Sequence, residues 1–312
     1  MLFNRFDYKY NFMGIRHMAM AFSVVLILAC IISFWVRGLV FGLDFTGGTL
    51  IEVGYKQPVQ LENIRASLRN NGFTDAILQY FGTNRDVIIR LGQHEESKNN
   101  PLSTQILQIL QSGGQEVEMR RVEYVGPQVG SELIEKGVLA VVYTLIGILI
   151  YVTLRFEYRF AIGAIVALLH DPILIVGIFS LFRLEFDLTV LAAILAVIGY
   201  SINDTIVVFD RIRDNFIKMR KQSVVDVINT SVNQTLSRTV MTSTTTLLVV
   251  VVLFVVGGDL IHGFALALIA GIVVGTYSSI YVASALALEL GVSRENLLPI
   301  PKEGANVKNS WD

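Results

Sequence analysis

The chain has 312 residues, 53% of them hydrophobic and 16% charged, with a formal net charge of −1. Soluble domains carry about a quarter charged residues, so the shortage points to lipid-facing surface, and a balance this close to zero gives no electrostatic footprint for nucleic acid. One cysteine, Cys30, lies inside an apolar run, which excludes an internal disulfide framework and a cysteine-based metal site.

Six apolar stretches are long enough to cross a ~30 Å hydrocarbon core, which takes about 20 helical residues. They run over 18–36, 137–154, 160–182, 188–209, 239–256 and 263–288. The first follows a basic leader (Arg5, Lys9, Arg16). Its apolar run is longer than a signal-peptide core and no small-x-small site precedes Arg37 and Gly38, so residues 1–37 read as an N-terminus with an uncleaved first helix.

Lys and Arg crowd one side of these spans. The connection 155–159 has two, the connection 210–238 has six (Arg211, Arg213, Lys218, Arg220, Lys221, Arg238), and the tail 291–312 adds Arg294, Lys302 and Lys308. The other side offers only Arg183 in the third-to-fourth turn, and neither Lys nor Arg in 257–262. The positive-inside rule then places both termini and loop 210–238 in the cytoplasm, residues 38–136 outside as a domain, and spans two to six within 137–290.

The outer segment has its own periodicities. Residues 49–55, 76–81, 86–91 and 116–124 read as strands, the middle two around a Gly-Thr-Asn-Arg turn. Residues 59–70 and 102–110 have helical apolar spacing. The order β-α-β-β-α-β is that of a ferredoxin-like α+β unit, so the predicted fold is an α-helical polytopic membrane protein of six spans carrying an extracytoplasmic ferredoxin-like domain. No catalytic cluster is evident in the domain, and its His94, among Glu95, Glu96 and Lys98 in the polar stretch 93–101, reads as part of a solvated loop. In 210–238, Val225, Ile228, Val232 and Leu236 recur at three- and four-residue spacing. An amphipathic helix at the cytoplasmic interface fits this spacing, with an ordinary helical hairpin as the alternative.

Ionisable residues inside spans cost about 2.5–3.5 kcal/mol each on insertion scales, so they need a partner or a hydrated cavity. The fourth span carries Tyr200, Asn203 and Asp204; the fifth begins at Arg238 and continues with Thr239, Thr242 and Thr246; the third carries His170 and Asp171. At 1.5 Å per residue, Asp204 and Arg238 lie roughly 25 and 28 Å from the same outer face. An ion pair between them is sterically reasonable, with Tyr200, Asn203, Thr239, Thr242, Thr246, His170 and Asp171 as a supporting polar path. A pair that only fixes helix register is the alternative. In the sixth span Gly263, Ala267, Gly271, Gly275, Ser279 and Ala283 form a row of small residues every four positions, a seam for close helix approach.

Five blocks carry a family resemblance: GLDFTGGTLIEV at 42–53, VGPQVGSEL at 125–133, AAILAVIGYSINDTIVVFDRIR at 192–213, QTLSRT at 234–239 and GTYSSI at 275–280. Together they resemble the SecF branch of the SecD/SecF family of bacterial protein-translocase subunits, in the RND superfamily. They span nearly the whole chain in family order. Asp214 departs from the family's usual Glu after Arg-Ile-Arg. The resemblance implies no enzyme and no cofactor, with protons as the coupling ion. It implies a SecD partner in a pseudo-symmetric pair, association with the SecYEG channel and its accessory subunits, a translocating preprotein, and residence in the bacterial inner membrane. It assigns Asp204 as the proton-relay aspartate and Arg238 as its arginine, with a further essential aspartate on SecD. Competing expectations are an RND-type exporter of small molecules or lipids, disfavoured by the small outer segment, and a non-conducting assembly scaffold.

Overall fold

The structure is a computed structural model that describes residues 10–92 and 101–293. Among the described residues, six helical segments are long and apolar enough to cross a membrane. These are α1 (Arg16–Arg37), and, further along the chain, the helices Pro127–Arg155, Tyr158–Phe182, Leu188–Lys218 and Val224–Val256, with a composite last span.

Between the first and second spans lies an α/β unit. After β1 (Val40–Phe41) and the single-turn α2 (Leu43–Thr46) come β2 (Gly48–Tyr55), α3 (Leu61–Asn70), β3 (Ile77–Phe81), β4 (Thr83–Leu91), α4 (Leu102–Ser112) and β5 (Val117–Val125). The four longer strands form one sheet in the order β3-β4-β2-β5, with antiparallel neighbours. That is the ferredoxin-like arrangement read from the periodicity. β4 starts three residues earlier than expected, because the chain reverses at Gly82 with φ +70 and a register shift at Tyr80/Phe81 absorbs the difference. Alternate residues Ile51, Val53, Val87 and Ile89 of the central strands point to one face and pack on Leu68 of α3 and Ile106 of α4. His94 lies outside the described residues, as do Arg5, Lys9 and the tail basic residues Arg294, Lys302 and Lys308.

The remaining spans are α5 (Pro127–Arg155), α6 (Tyr158–Phe182), α7 (Leu188–Lys218), α8 (Val224–Val256) and a sixth built from α9 (Asp259–Ser278), a π-turn (Ser279–Ala283) and α10 (Ser284–Glu289). α6 and α7 form the middle of the bundle, whereas α1, α5 and α8 present mostly exposed apolar side chains. The small-residue row of the sixth span packs on α7. A Cβ at Gly263 would sit 3.1 Å from Val190 Cγ2, one at Gly271 2.2 Å from Val197 Cγ2, and one at Gly275 2.9 Å from Ser201 Cβ.

The segment 210–238 corrects the interfacial-helix expectation. α7 runs on to Lys218, a short turn follows, and α8 is one helix from Val224. Ile228 and Val232 are buried in the same core as Phe209, Ile212 and Phe216. Their apolar spacing therefore marks the inner face of a helical hairpin, and Asn215 ties it by donating to Ser231 Oγ at 2.8 Å and Gln234 Oε1 at 2.9 Å.

The domain is joined to the bundle at one edge. β1 pairs in parallel with β6 (Glu185–Phe186) in the turn between α6 and α7. The Asp44 carboxylate accepts from Leu188 N at 3.1 Å at the start of α7, where the helix leaves free N–H groups and a partial positive charge. Arg90 of β4 forms an ion pair with Glu185.

Candidate functional site

Two polar centres lie inside the bundle, and the structure keeps them apart. The first is on α7 and α8. Asp204 is 4% exposed, and its Oδ2 is buried with no hydrogen-bond partner among the described residues. Arg238 lies near enough for Coulomb attraction to Asp204, yet no ion pair within 4 Å joins them, which corrects the closed pair expected from depth alone. The helices agree in depth, but Arg238 is exposed and lines a recess with Val207, Asp210, Arg211, Asp214, Gln234 and Thr235. Thr239, 2% exposed, also has a buried hydroxyl oxygen without a partner.

The expected stripe above Arg238 is only partly inward. Thr242 is exposed and Thr246 half-buried, and both hydroxyls donate back to their own helix, to Arg238 O at 3.1 Å and Thr242 O at 2.9 Å respectively. Asn203 is exposed as well. The inward polar stripe of α8 is instead Ser231, Thr235, Thr239 and Ser243, spaced every four residues. Sequence reading named Thr239 of this stripe but did not place Ser231, Thr235 and Ser243 on the path, because the exposed Thr242, Thr244 and Thr245 make the outer side of the same helix polar as well. Tyr200 does belong to this centre: its hydroxyl lies 3.4 Å from Ser243 Oγ, which in turn lies 2.8 Å from Thr276 Oγ1 of α9.

The second centre is on α6, α7 and the sixth span. Asp171 is 1% exposed and His170 2%. The Asp171 Oδ2 accepts from Ser201 Oγ at 2.5 Å and Ser278 Oγ at 3.0 Å, while Oδ1 lies 2.9 Å from His170 Nδ1. Ser279, at the head of the π-turn, meets Thr205 Oγ1 at 2.9 Å. A π-turn inserts one residue and breaks the regular bonding ladder. Here Ser284 Oγ donates to Ser279 O at 3.0 Å and Ser279 Oγ to Gly275 O at 2.9 Å, which occupies carbonyls on either side of the insertion. His170 and Asp171 thus meet each other, Ser201 and Ser278, and make no hydrogen bond to Asp204. Ser201 and Thr205 flank Asp204 on α7 and connect the two centres through that one helix.

Family comparisons place these residues in context. The model of the C-terminal region of the SecD/SecF protein export membrane proteins matches residues 105–293, and the SecD/SecF GG-motif model matches 32–59. The chain is 54% identical over 298 residues to the protein translocase subunit SecF of Vibrio alginolyticus, covering 95% of each. Identity to SecF of Pseudomonas aeruginosa is 47%, covering 93% of this chain and 94% of the relative. A crystal structure of SecDF, a translocon-associated membrane protein from Thermus thermophilus, superposes with a TM-score of 0.82 at 38% identity. That match covers 91% of this chain and 39% of the longer SecDF chain. A second SecDF structure, in a super-membrane-facing form, matches over the same shares with a TM-score of 0.69.

Proposed function

The chain belongs to the SecD/SecF family of protein export membrane proteins, and on that premise we propose that it works as the SecF subunit of the protein-export machinery. It acts with SecD to draw on the proton-motive force and promote late stages of preprotein translocation through SecYEG. It lies in the inner membrane with its α/β domain on the periplasmic side, an orientation supported by the basic residues at the opposite end of the bundle. The SecF naming of relatives aligned end to end supports this assignment over an exporter of small molecules or lipids and over a passive scaffold.

One observation carries the mechanism. Asp204 is a buried carboxylate with an unpartnered oxygen, and the nearby cation, Arg238, stands at a recess instead of closing on it. A carboxylate so placed has two distinct arrangements available. Ionised, it attracts Arg238 inward; protonated, it releases that attraction and leaves Arg238 to the recess. The proton comes onto a carboxylate oxygen from one side of the membrane and leaves toward the other, and the α7–α8 contact differs between the two states. The two SecDF structures match this chain at the same identity and coverage with TM-scores of 0.82 and 0.69, which supports a fold that takes more than one shape.

The energy is of the right size. One charge moved through ~150 mV releases about 3.5 kcal/mol. Swinging a two-state element from 1:99 to 99:1 takes about 5.5 kcal/mol, so about two protons per stroke suffice. The test is the chain co-assembled with SecD and carrying Asp204→Asn. Assembly is expected to be unchanged and proton-dependent release of exported protein lost. Release at the unsubstituted rate in this variant contradicts the mechanism.

A further inference from the structure

Among the described residues the His170 ring has one hydrogen-bond partner, Asp171, and its outer nitrogen is unused. The Nδ1 atom lies 2.9 Å from Asp171 Oδ1, whereas Nε2 is buried with no hydrogen-bond partner among the described residues. Two serine hydroxyls already occupy Asp171 Oδ2 as donors. A proton shared between Nδ1 and Oδ1 closes that side of the ring, which leaves Nε2 as the ring nitrogen open to a further proton. We infer that His170 and Asp171 form a second proton-holding site in the bundle, loaded and unloaded at His170 Nε2.

The proton count balances simply. With one proton between the two groups the pair carries a single negative charge; a second proton on Nε2 makes it neutral. This holds whether the shared proton sits nearer the ring or nearer the carboxylate. Histidine is suited to the task because its charge changes near neutral pH, and the group on one ring nitrogen sets what the other can do.

The surroundings leave the pair as the group that takes the charge. From α9, Tyr277 stacks on the His170 ring with centroids 6.2 Å apart at 29°. Its hydroxyl is engaged by Ala19 O at 2.7 Å and Ser23 Oγ at 3.0 Å of α1. Tyr281 of the π-turn lies tilted against Tyr277 in turn, with centroids 5.3 Å apart. α1 also brings Cys30, packed against Gly177 two turns away, and α5 brings Tyr143 and Tyr151, both exposed. α7 contributes Ser201, and Asp204 one turn further along; α10 contributes Glu289, which is paired with Arg16.

As a station for transported protons the pair rests on the proposed function; as a proton-accepting atom it does not, and the experiment reads only the latter. The full chain is reconstituted in lipid nanodiscs with ¹⁵N-labelled histidine and with His17, His94 and His262 changed to Gln, leaving His170 as the one histidine. Nitrogen NMR then follows Nε2 from ~pH 9 to ~pH 5. The expected result is a bare Nε2 at the alkaline end that gains a proton toward the acid end. A nitrogen that stays bare, or stays protonated, throughout overturns the site. If the triple substitution impairs folding, the same signal is read as the difference between the unsubstituted chain and His170→Gln.

Discussion

At the scale of single residues, the informative atoms are those the fold leaves without partners. A carboxylate in a span costs about 2.5–3.5 kcal/mol on insertion scales, and Asp204 offsets little of this with hydrogen bonds. The Thr239 hydroxyl on α8 is also without a partner among the described residues. Thr239→Val keeps the shape and removes an unsatisfied polar atom, which is worth up to about 1 kcal/mol of stability. The expected outcome is a thermal midpoint held or raised while proton-coupled export slows. An export rate unchanged by Thr239→Val removes this hydroxyl from the path. Asp204 was legible in the sequence because a charge interrupting an apolar run needs no structure to be noticed. The partners of Asp171 were not, since Ser201 and Ser278 arrive from other helices and serine in a span is unremarkable on its own. Nor was the outward aim of Thr242 and Thr246, whose hydroxyls are satisfied by their own helix backbone.

At the scale of elements, close approach decides more than apolar area. Gly47 and Gly48, with φ of +66 and +120, carry the chain from α2 into β2, and a Cβ at Gly48 would meet Leu91 O at 2.3 Å. The glycine pair in the 42–53 block thus has a backbone reason. Gly48→Ala is expected to destabilise the α/β domain by about 1–3 kcal/mol, read as an earlier loss of its sheet signal on heating. Gly271 presses α9 against Val197, whose branched side chain has little freedom to move aside. Gly271→Ala should cost about 1–3 kcal/mol by overpacking, read as reduced thermal stability of the detergent-solubilised chain. The small-residue row predicted this seam, but nothing in it announced the π-turn, because Ser279 and Ala283 continue the four-residue spacing straight through the insertion. Strand order in the domain followed from periodicity, whereas its anchorage did not. A two-residue strand pair and one ion pair between positions 90 and 185 are too short and too distant in sequence to leave a pattern. For that anchor, a double-mutant cycle of Arg90→Gln and Glu185→Gln should give a coupling of about 1 kcal/mol, followed by faster amide exchange in β1 and β6. Additive effects with no coupling mean the ion pair is not what holds the joint.

At the scale of the whole molecule, six spans and one ferredoxin-like domain make a structure with its own centre and an open rim. α6 and α7 are well enclosed, while α1, α5 and α8 expose apolar faces such as Val249, Val255 and Leu154. Lipid covers such faces without further help, and a second subunit covers them in a pair. This chain spans 39% of the SecDF chain it superposes on, and in the proposed mechanism SecD completes the relay. The proposed coupling runs from Asp204, through the α7–α8 and α7–α9 contacts, to the joint where Asp44 and Arg90 grip the start of α7 and its preceding turn. Its central claim is that a proton on Asp204 is what the machine moves. The direct measurement is proton flux into vesicles holding the chain with its SecD partner, with and without an imposed potential, for the unsubstituted chain and for Asp204→Asn. Flux driven by the potential in the first and absent in the second is the predicted result; equal flux in both contradicts it.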